Sequence, residues 1–180
     1  MIRETAITGV KVVDLKTACD ARGALCKIFG TQELNDIMGQ RTIRQVNHVM
    51  TAARGTVRGI HYQLAPYAEM KFISCLRGRV WDLALDLRSG SPTFLKWVGT
   101  ELVPGMMQIL PEGCAHGMQA LEDNCELLYL HTADYMVHYE RGIRHDDAMP
   151  GIRWPLIPSG LSERDRGFNQ LTEAFKGIAV

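Results

Sequence analysis

Two histidines occupy glycine-punctuated segments and are the clearest candidates for chemistry. His61 lies in the segment Arg58–Gln63, and His116 ends the segment Gly105–His116, which also contains Pro-x-Gly. Because an imidazole titrates near neutral pH, it can take a proton from a carbon beside a carbonyl group, or it can ligate a metal ion. The residues around the two histidines decide between these kinds of chemistry.

The second segment resembles one half-motif of the cupin barrels: a glycine, five residues, Pro-x-Gly, two residues and His. A metal-binding cupin would also carry His-x-His at positions 61 and 63 and a Glu four or five residues later. Here His61 is present, but Gln63 replaces the second His, and Tyr67 and Ala68 occupy the positions of the Glu. Since a catalytic metal site needs about three protein ligands, the resemblance implies a cupin-type barrel that has lost its metal, and no metal site is predicted.

A longer series of motifs resembles the dTDP-4-dehydrorhamnose 3,5-epimerase family over roughly residues 8 to 170. The motifs are Arg58–Gln63, Lys71, Asp82 with Asp86-Leu-Arg88, Ser91–Phe94, Pro111–Gly117, Tyr129, Tyr135, Trp154-Pro155 and Leu161–Asp165. The resemblance implies an all-β, cupin-type double-stranded β-helix, or jelly-roll barrel, with short peripheral helices. It also implies a cofactor-free isomerase that acts on a nucleotide-diphosphate 4-keto-6-deoxy sugar in deoxysugar or surface polysaccharide biosynthesis.

The resemblance assigns four residues to proton transfer. His61 is the base that removes a proton beside the C4 ketone, and Asp165 forms a dyad with it. Lys71 stabilises the enolate, whose oxygen carries the developing charge. Tyr129 returns a proton from the opposite face of the sugar ring. Taken singly, such a tyrosine would more often be packing and such a lysine a solvated charge, so these roles depend on the resemblance.

Further residues are expected to bind or orient the substrate: Arg22, Gln45, Asn47, Arg58, Asp82, His116 and Tyr135. By the same resemblance, Gln45 and Asn47 lie on the diphosphate side, and Asp82 is a candidate to orient His116. Arg58 suits sugar or diphosphate oxygens because a guanidinium presents a fork of donors.

The resemblance breaks in the N-terminal segment, where the family carries aromatic-x-Asp-x-Arg-Gly-x-Phe-x-Glu. Ala18 and Leu25 replace the aromatics, and Lys27 replaces a Glu that in the family reads thymine from the partner subunit. Arg22 is retained and could still hold a phosphate. A carboxylate accepts the thymine N–H, whereas a lysine only donates. We therefore hypothesise that the nucleotide is not dTDP, or that other residues hold the base.

The composition narrows the class of protein. The 180 residues suffice for one domain, residues 1–180, and twenty basic and twenty acidic residues cancel without a basic block. This balance argues against nucleic acid and anionic membranes as partners. Five cysteines without Cys-x-x-Cys, and no signal peptide or long apolar run, predict a cytoplasmic protein with free, mostly buried thiols. A homodimer is expected from the resemblance alone.

Short alternating runs broken by Gly, Pro, Ser or Asp predict an antiparallel sandwich or barrel. The predicted strands are Ile43–Val49, Val57–Gln63, Lys71–Leu76, Val80–Leu87, Leu95–Leu102, Met107–Leu110, Met118–Leu121 and Glu126–Thr132, after an edge strand within residues 1–14 and a turn at Asp20–Gly23. Helices are predicted at Gln32–Met38 and at Leu171–Lys176. Arg58 and His61 fall on opposite faces of a regular strand, so a shared site requires a bulge or strong twist at Gly59.

Three alternatives stay open at this point. A ketoisomerase on the same barrel would be expected to use a different base arrangement from the Tyr129 and Asp165 pair. A sugar-binding or interaction cupin would bind without catalysing. A metal-dependent dioxygenase would carry stoichiometric iron or zinc at His61 and His116, and metal analysis would reveal it.

Overall fold

The computed structural model describes the whole chain, residues 1–180, as β-strands with two short helices. The strands are Ile2–Glu4 (β1), Lys11–Asp14 (β2), Thr17–Asp20 (β3), Gly23–Cys26 (β4), Gln45–Thr51 (β5), Val57–Gln63 (β6), Lys71–Arg77 (β7), Val80–Asp86 (β8), Trp97–Leu102 (β9), Met106–Leu110 (β10), Cys114–Ala120 (β11), Cys125–His131 (β12) and Glu140–Gly142 (β13). The helices are Asn35–Met38 (α1) and Glu163–Gly167 (α2). The predicted all-β class is confirmed. Neither helix has the length or apolar character needed to cross a lipid bilayer.

The strands form two facing antiparallel sheets and one separate hairpin. Six strands pair in the order β1-β2-β10-β7-β12-β5, and five pair in the order β13-β6-β11-β8-β9. Strands β3 and β4 pair only with each other, around the turn predicted at Asp20–Gly23. Residues 1–14, predicted as one strand near an edge, instead form two antiparallel strands: β1 is the edge strand and pairs with β2 alone, and β2 also pairs with β10.

The main core lies between the two sheets. Ile73 and Leu127 of the six-stranded sheet join Ala84 and Met118 of the five-stranded sheet in one cluster of buried apolar side chains. Burying one large apolar side chain contributes about 1.5–3 kcal/mol, so this cluster holds the sheets against each other. Polar side chains line the part of the inter-sheet space that the cluster leaves unfilled.

Strand β6 carries the bulge that the positions of Arg58 and His61 require. His116 of β11 pairs with His61, but the residue after His116 pairs with Gly59, so one residue of β6 has no partner on β11. The extra residue resets the alternation of side chains. Arg58 and His61 consequently line the same cavity, and the predicted bulge at Gly59 is confirmed.

Most predicted strands agree with the observed ones, and β6 matches Val57–Gln63 at both ends. Helix α1 covers only the second half of the predicted helix Gln32–Met38. The predicted helix at Leu171–Lys176 is wrong: this segment is extended and turned. Leu171 and Phe175 pack there against the outer face of the five-stranded sheet, and the backbone N–H of Leu171 is bound by Asp147. Tertiary contacts thus override a weak local preference.

We expect Gly59→Ala to destabilise the protein by about 3 kcal/mol or more, because it combines backbone strain with overpacking. Gly59 has φ +114°, and a Cβ there would lie 2.7 Å from both Gly117 Cα and the His116 carbonyl oxygen. Urea unfolding measures the change. Gly23→Ala is the matched control, since Gly23 has φ +131° but no neighbour within 4 Å of the added Cβ. Equal destabilisation by both substitutions would contradict the close approach of β6 and β11.

Candidate active site

A cavity of about 650 Å³ opens between the two sheets. Strands β5, β6, β7, β11 and β12 supply most of its lining, while β13 and α2 add Glu140 and Arg164. The predicted site residues that line it are Gln45, Asn47, Arg58, His61, Lys71, His116, Tyr129 and Tyr135. These residues are scattered over almost a hundred positions of the sequence, so only strand pairing across two sheets brings them together.

His61 and Asp165 form a hydrogen-bonded pair at the cavity wall. His61 Nε2 lies 2.8 Å from Asp165 Oδ1, and the backbone N–H of Gly59 donates to Asp165 Oδ2. Burial raises the pKa of Asp165, but hydrogen bonds from His61 and Gly59 and the nearby positive charge outweigh burial and lower the pKa overall. An ionised carboxylate only accepts hydrogen bonds. Nε2 therefore carries the proton, and the lone pair of the imidazole is on Nδ1.

The α2 helix fixes the position of Asp165. Its N-terminal residue is preceded by Ser162, whose hydroxyl accepts a hydrogen bond from the backbone N–H of Asp165. This is the capping arrangement that a serine before a helix provides. The carboxyl group of Asp165 is consequently buried and held against His61 by the turn that carries it.

The Lys71 ammonium is nearly enclosed, with 7% of its side chain exposed. Its Nζ lies 3.3 Å from Glu69 Oε1 and 3.3 Å from the carbonyl oxygen of His61. Burial would raise the pKa of Glu69, but the charge of Lys71 and a hydrogen bond from His131 outweigh burial and lower it. An ammonium has three N–H donors, so one donor of Lys71 is left for a ligand in the cavity.

His116, Asp82 and Tyr129 form a second buried group. His116 Nε2 lies 2.7 Å from Asp82 Oδ1, and the fully buried Asp82 reaches the cavity only through this contact. The ring of Tyr129 packs edge-on against His116, with centroids 5.2 Å apart. Burial, aided by the charge of Asp82, raises the pKa of Tyr129 well above its usual range. The Tyr129 hydroxyl therefore holds its proton at neutral pH.

Polar side chains organise the mouth of the cavity. Gln45 Nε2 donates to Asn47 Oδ1 at 3.1 Å, and Gln45 Oε1 accepts from the backbone N–H of Tyr135. Glu140 Oε2 accepts from both the Tyr135 hydroxyl at 2.9 Å and Arg164 at 2.6 Å. These contacts join strands β5 and β13 and helix α2 around the opening.

The charges of the lining favour an anion. Its cations are Arg58, Lys71 and Arg164, and its carboxylates are Glu69 and Glu140. Three positive and two negative groups leave a formal excess of one positive charge when the histidines are neutral. Such a cavity can attract a negatively charged ligand.

The comparisons with known proteins agree with this geometry. A sequence profile of the dTDP-4-dehydrorhamnose 3,5-epimerase family matches residues 4–173. A dTDP-4-dehydrorhamnose 3,5-epimerase of Sinorhizobium fredii is 36% identical over 171 residues, which cover 93% of this chain and 88% of that protein. The chain belongs to the dTDP-4-dehydrorhamnose 3,5-epimerase family.

Solved structures of similar epimerases share the fold. The Legionella pneumophila dTDP-6-deoxy-D-glucose-3,5-epimerase, in complex with dTDP-4-keto-L-rhamnose, is 31% identical and superposes with a TM-score of 0.92 over 100% of this chain and 98% of that one. A 3'-monoepimerase from Streptomyces bikiniensis, in complex with dTDP-quinovose, is 29% identical with a TM-score of 0.85, covering 92% and 85% of the two chains. The predicted cupin-type fold and the predicted class, a carbohydrate epimerase among the isomerases, are confirmed.

Three predicted site residues do not line the cavity: Asp82 and Asp165 contact the lining histidines, whereas Arg22 lies apart from it. Arg22 follows strand β3 in the exposed hairpin, where its guanidinium pairs with Asp20 at 2.6 Å. The hairpin strands β3 and β4 pair with no other strand of the chain. A role for Arg22 in the site requires a second copy of the epimerase and stays a prediction.

Several lining residues were not predicted from the sequence: Val49, Tyr62, Gln63, Glu69, His131, Glu140 and Arg164. Glu69 lies one residue beyond the positions considered for a metal-ligand glutamate, and it contacts Lys71 and His131 rather than His61 or His116. Nowhere in the chain do three or more His, Cys, Asp or Glu side chains come together in a geometry that could hold a metal ion. Arg164 adjoins Asp165 in the motif Leu161–Asp165, and this adjacency was the only feature of the sequence that pointed to it.

Proposed function

We propose that this family member is a cofactor-independent epimerase that inverts C3, C5 or both in a nucleotide-linked 4-keto-6-deoxyhexose, within deoxysugar or surface polysaccharide biosynthesis. One observation carries the proposal: His61 on the five-stranded sheet and Tyr129 on the six-stranded sheet line the same cavity. Inverting a carbon requires a proton to leave one face and another to arrive at the opposite face. A proton acceptor and a proton donor on different walls of one cavity can do both.

His61 begins the reaction as the general base. The Asp165 carboxylate holds the proton on Nε2, so Nδ1 can take the proton from the carbon beside the C4 ketone. The same carboxylate, buried 2.8 Å away, stabilises the imidazolium that results. Asp165 therefore acts by orienting His61 and by balancing its charge.

The electron pair released by this step moves to the C4 oxygen and forms an enolate. Lys71 offers the one ammonium donor that the protein does not use, and this cation stabilises the oxygen as its charge develops. His116, held by Asp82, lies in the same cavity and can contact the sugar. Because the Lys71 side chain is nearly enclosed, water screens its charge less than it would at the surface.

Tyr129 completes the inversion as the general acid. Its hydroxyl stays protonated at neutral pH, so a proton is available for the carbon on the face opposite His61. The imidazolium then releases its proton and the phenolate regains one, which restores the starting enzyme with no net proton change.

At the mouth, Arg58 and the amides of Gln45 and Asn47 are the proposed contacts for sugar and diphosphate oxygens, with Tyr135 beside them.

Product analysis tests this assignment. The epimerase is incubated with a nucleotide-linked 4-keto-6-deoxyglucose, the ketone is reduced with borohydride, and the released sugars are separated by chromatography. We expect sugars inverted at C3, C5 or both. Recovery of only the parent sugar and its C4 epimer from every nucleotide would contradict the proposal.

We expect the protein to show no preference for dTDP over other nucleotides, because Ala18, Leu25 and Lys27 stand where the family carries its thymine-reading residues. The hairpin that holds Ala18 and Leu25 is exposed, and Lys27 pairs with Glu33. Titration calorimetry with dTDP, CDP, UDP and GDP should give no clear dTDP preference. Lys27→Glu should raise the relative affinity for dTDP, whereas Lys16→Glu, a nearby charge reversal, should not. A clear dTDP preference of the wild type would refute the hypothesis.

We also propose a cytoplasmic homodimer. The exposed β3–β4 hairpin, with 76% of Leu25 accessible, supports a second copy that covers it. The five free cysteines support a reducing compartment. Analytical ultracentrifugation gives the mass of the assembly, and a purely monomeric species at micromolar concentration would contradict the dimer.

A further inference from the structure

A buried chain of hydrogen bonds runs behind Lys71 along the six-stranded sheet. Glu69 Oε1 lies 3.3 Å from Lys71 Nζ, and Glu69 Oε2 lies 2.8 Å from His131 Nδ1. His131 Nε2 in turn lies 3.3 Å from Asn47 Nδ2. The side chains of Glu69, Lys71 and His131 are 8%, 7% and 11% exposed. A carboxylate thus bridges the proposed enolate-stabilising cation and a histidine that the proposed mechanism does not use.

Strand pairing builds this chain. His131 of β12 lies directly opposite Lys71 of β7 on one side and opposite Gln45 of β5 on the other. Glu69 comes two residues before β7, which brings its carboxylate alongside both side chains. No other carboxylate lies within 4 Å of Lys71 Nζ. Glu69 is therefore the one direct counter-charge for this ammonium.

Hydrogen-bond chemistry fixes the direction of the chain. The ionised carboxylate of Glu69 only accepts, so His131 donates from Nδ1 and presents the lone pair of Nε2 to the Asn47 amide. A buried cation with no partner is strongly destabilising, because it has lost its contacts with water without gaining a counter-charge. Glu69 offsets that penalty for Lys71, and His131 holds the carboxylate in place.

We propose that Glu69 and His131 are positioning residues for the epimerase reaction: Glu69 is the counter-charge that holds the Lys71 ammonium at the cavity, and His131 orients Glu69. Neither residue transfers a proton to or from the sugar. This inference rests on the proposed function, because Lys71 must stabilise an enolate for its position to matter.

A double-mutant cycle tests whether Glu69 acts through Lys71. Loss of one donor to a developing oxyanion typically lowers kcat by about 10²- to 10³-fold, and we expect Lys71→Met to fall in this range. Glu69→Gln should lower kcat by roughly 10-fold or more with KM changed less than about 3-fold, because a contact made mainly in the transition state is weakened. In the Lys71→Met background, Glu69→Gln should change kcat by less than about 2-fold, because the residue through which it acts is gone.

Further variants separate positioning from folding. Glu69→Asp keeps the charge and should retain more activity than Glu69→Gln, while His131→Gln should lower kcat less than Glu69→Gln. Glu126→Gln is the matched control, since Glu126 lies on β12 but pairs with His48 and Arg77 away from the cavity. Thermal unfolding of each variant identifies any that fail to fold. If Glu69→Gln is one of them, the kcat of Glu69→Asp is compared with that of the wild type instead.

The outcomes distinguish this inference from the function on which it rests. Additive losses in the cycle, or full activity of Glu69→Gln beside an active wild type, would overturn the positioning role alone. An active Lys71→Met would also overturn it. Absence of deuterium exchange in the wild type would overturn the proposed function and this inference with it.

Discussion

Replacing His61 with alanine should lower deuterium uptake at the substrate carbons beside the ketone by about 10²- to 10⁴-fold, the contribution typical of a positioned general base. Uptake falls at every exchanging position because one base begins each proton transfer. The exchange rate is measured by proton NMR in deuterium oxide with substrate at saturating concentration. Substrate binding survives, since the proposed diphosphate contacts belong to other residues.

The control for this prediction is His48→Ala. His48 lies on the outward face of β5, pairs with Glu126 and does not line the cavity. We expect its exchange rate to equal that of the wild type. Urea unfolding of His61→Ala checks the fold, which should persist because Asp165 still accepts from the Gly59 N–H and its own backbone N–H still donates to the Ser162 hydroxyl. Undiminished exchange in a folded His61→Ala would show that another group is the base.

Replacing Tyr129 with phenylalanine separates exchange from inversion. His61 still removes the proton and returns a deuteron to the same face, so exchange continues within about 10-fold of the wild-type rate, whereas inverted product falls by about 10²-fold or more. Phenylalanine keeps the edge-on packing of the ring against His116, at 5.2 Å in the wild type. Exchange is followed by NMR, and inversion is followed in the same sample by product chromatography.

Tyr139→Phe serves as the control, because Tyr139 packs against Tyr67 and does not line the cavity. Both exchange and inversion should be unchanged in this variant. If His61→Ala and Tyr129→Phe lost exchange to the same extent, separate base and acid roles would be rejected. Clean inversion by Tyr129→Phe would assign the acid role to a different residue.

Local sequence patterns were sufficient to predict most of the strands that carry the site. The period-two alternation of side chains predicted the bounds of β6 and β12 closely. Arg58 and His61 would lie on opposite faces of a regular strand, and this conflict correctly predicted the bulge. The position of Asp165 beside His61 could not come from periodicity, because α2 spans only Glu163–Gly167. Only the motif resemblance led to that residue.

Contacts made at long range were the part that local patterns could not reveal. The register that sets His131 opposite Lys71 depends on how β12 docks between β5 and β7. Glu69 lies outside any strand, so the alternation of side chains could not assign it to a face of the sheet. Its buried contacts arise from this register. The Leu171–Lys176 segment failed as a helix for the same reason, since its apolar residues serve the outer face of the five-stranded sheet.

The most direct test of the proposed chemistry is proton NMR of the wild-type epimerase in deuterium oxide with a panel of nucleotide-linked 4-keto-6-deoxy sugars. We expect the C3 proton signal, the C5 proton signal or both to disappear as deuterium is taken up beside the C4 ketone. The positions that exchange name the inverted carbons, and the relative rates rank the nucleotides. A folded protein that leaves both signals intact with every sugar in the panel would contradict proton transfer by His61 and Tyr129.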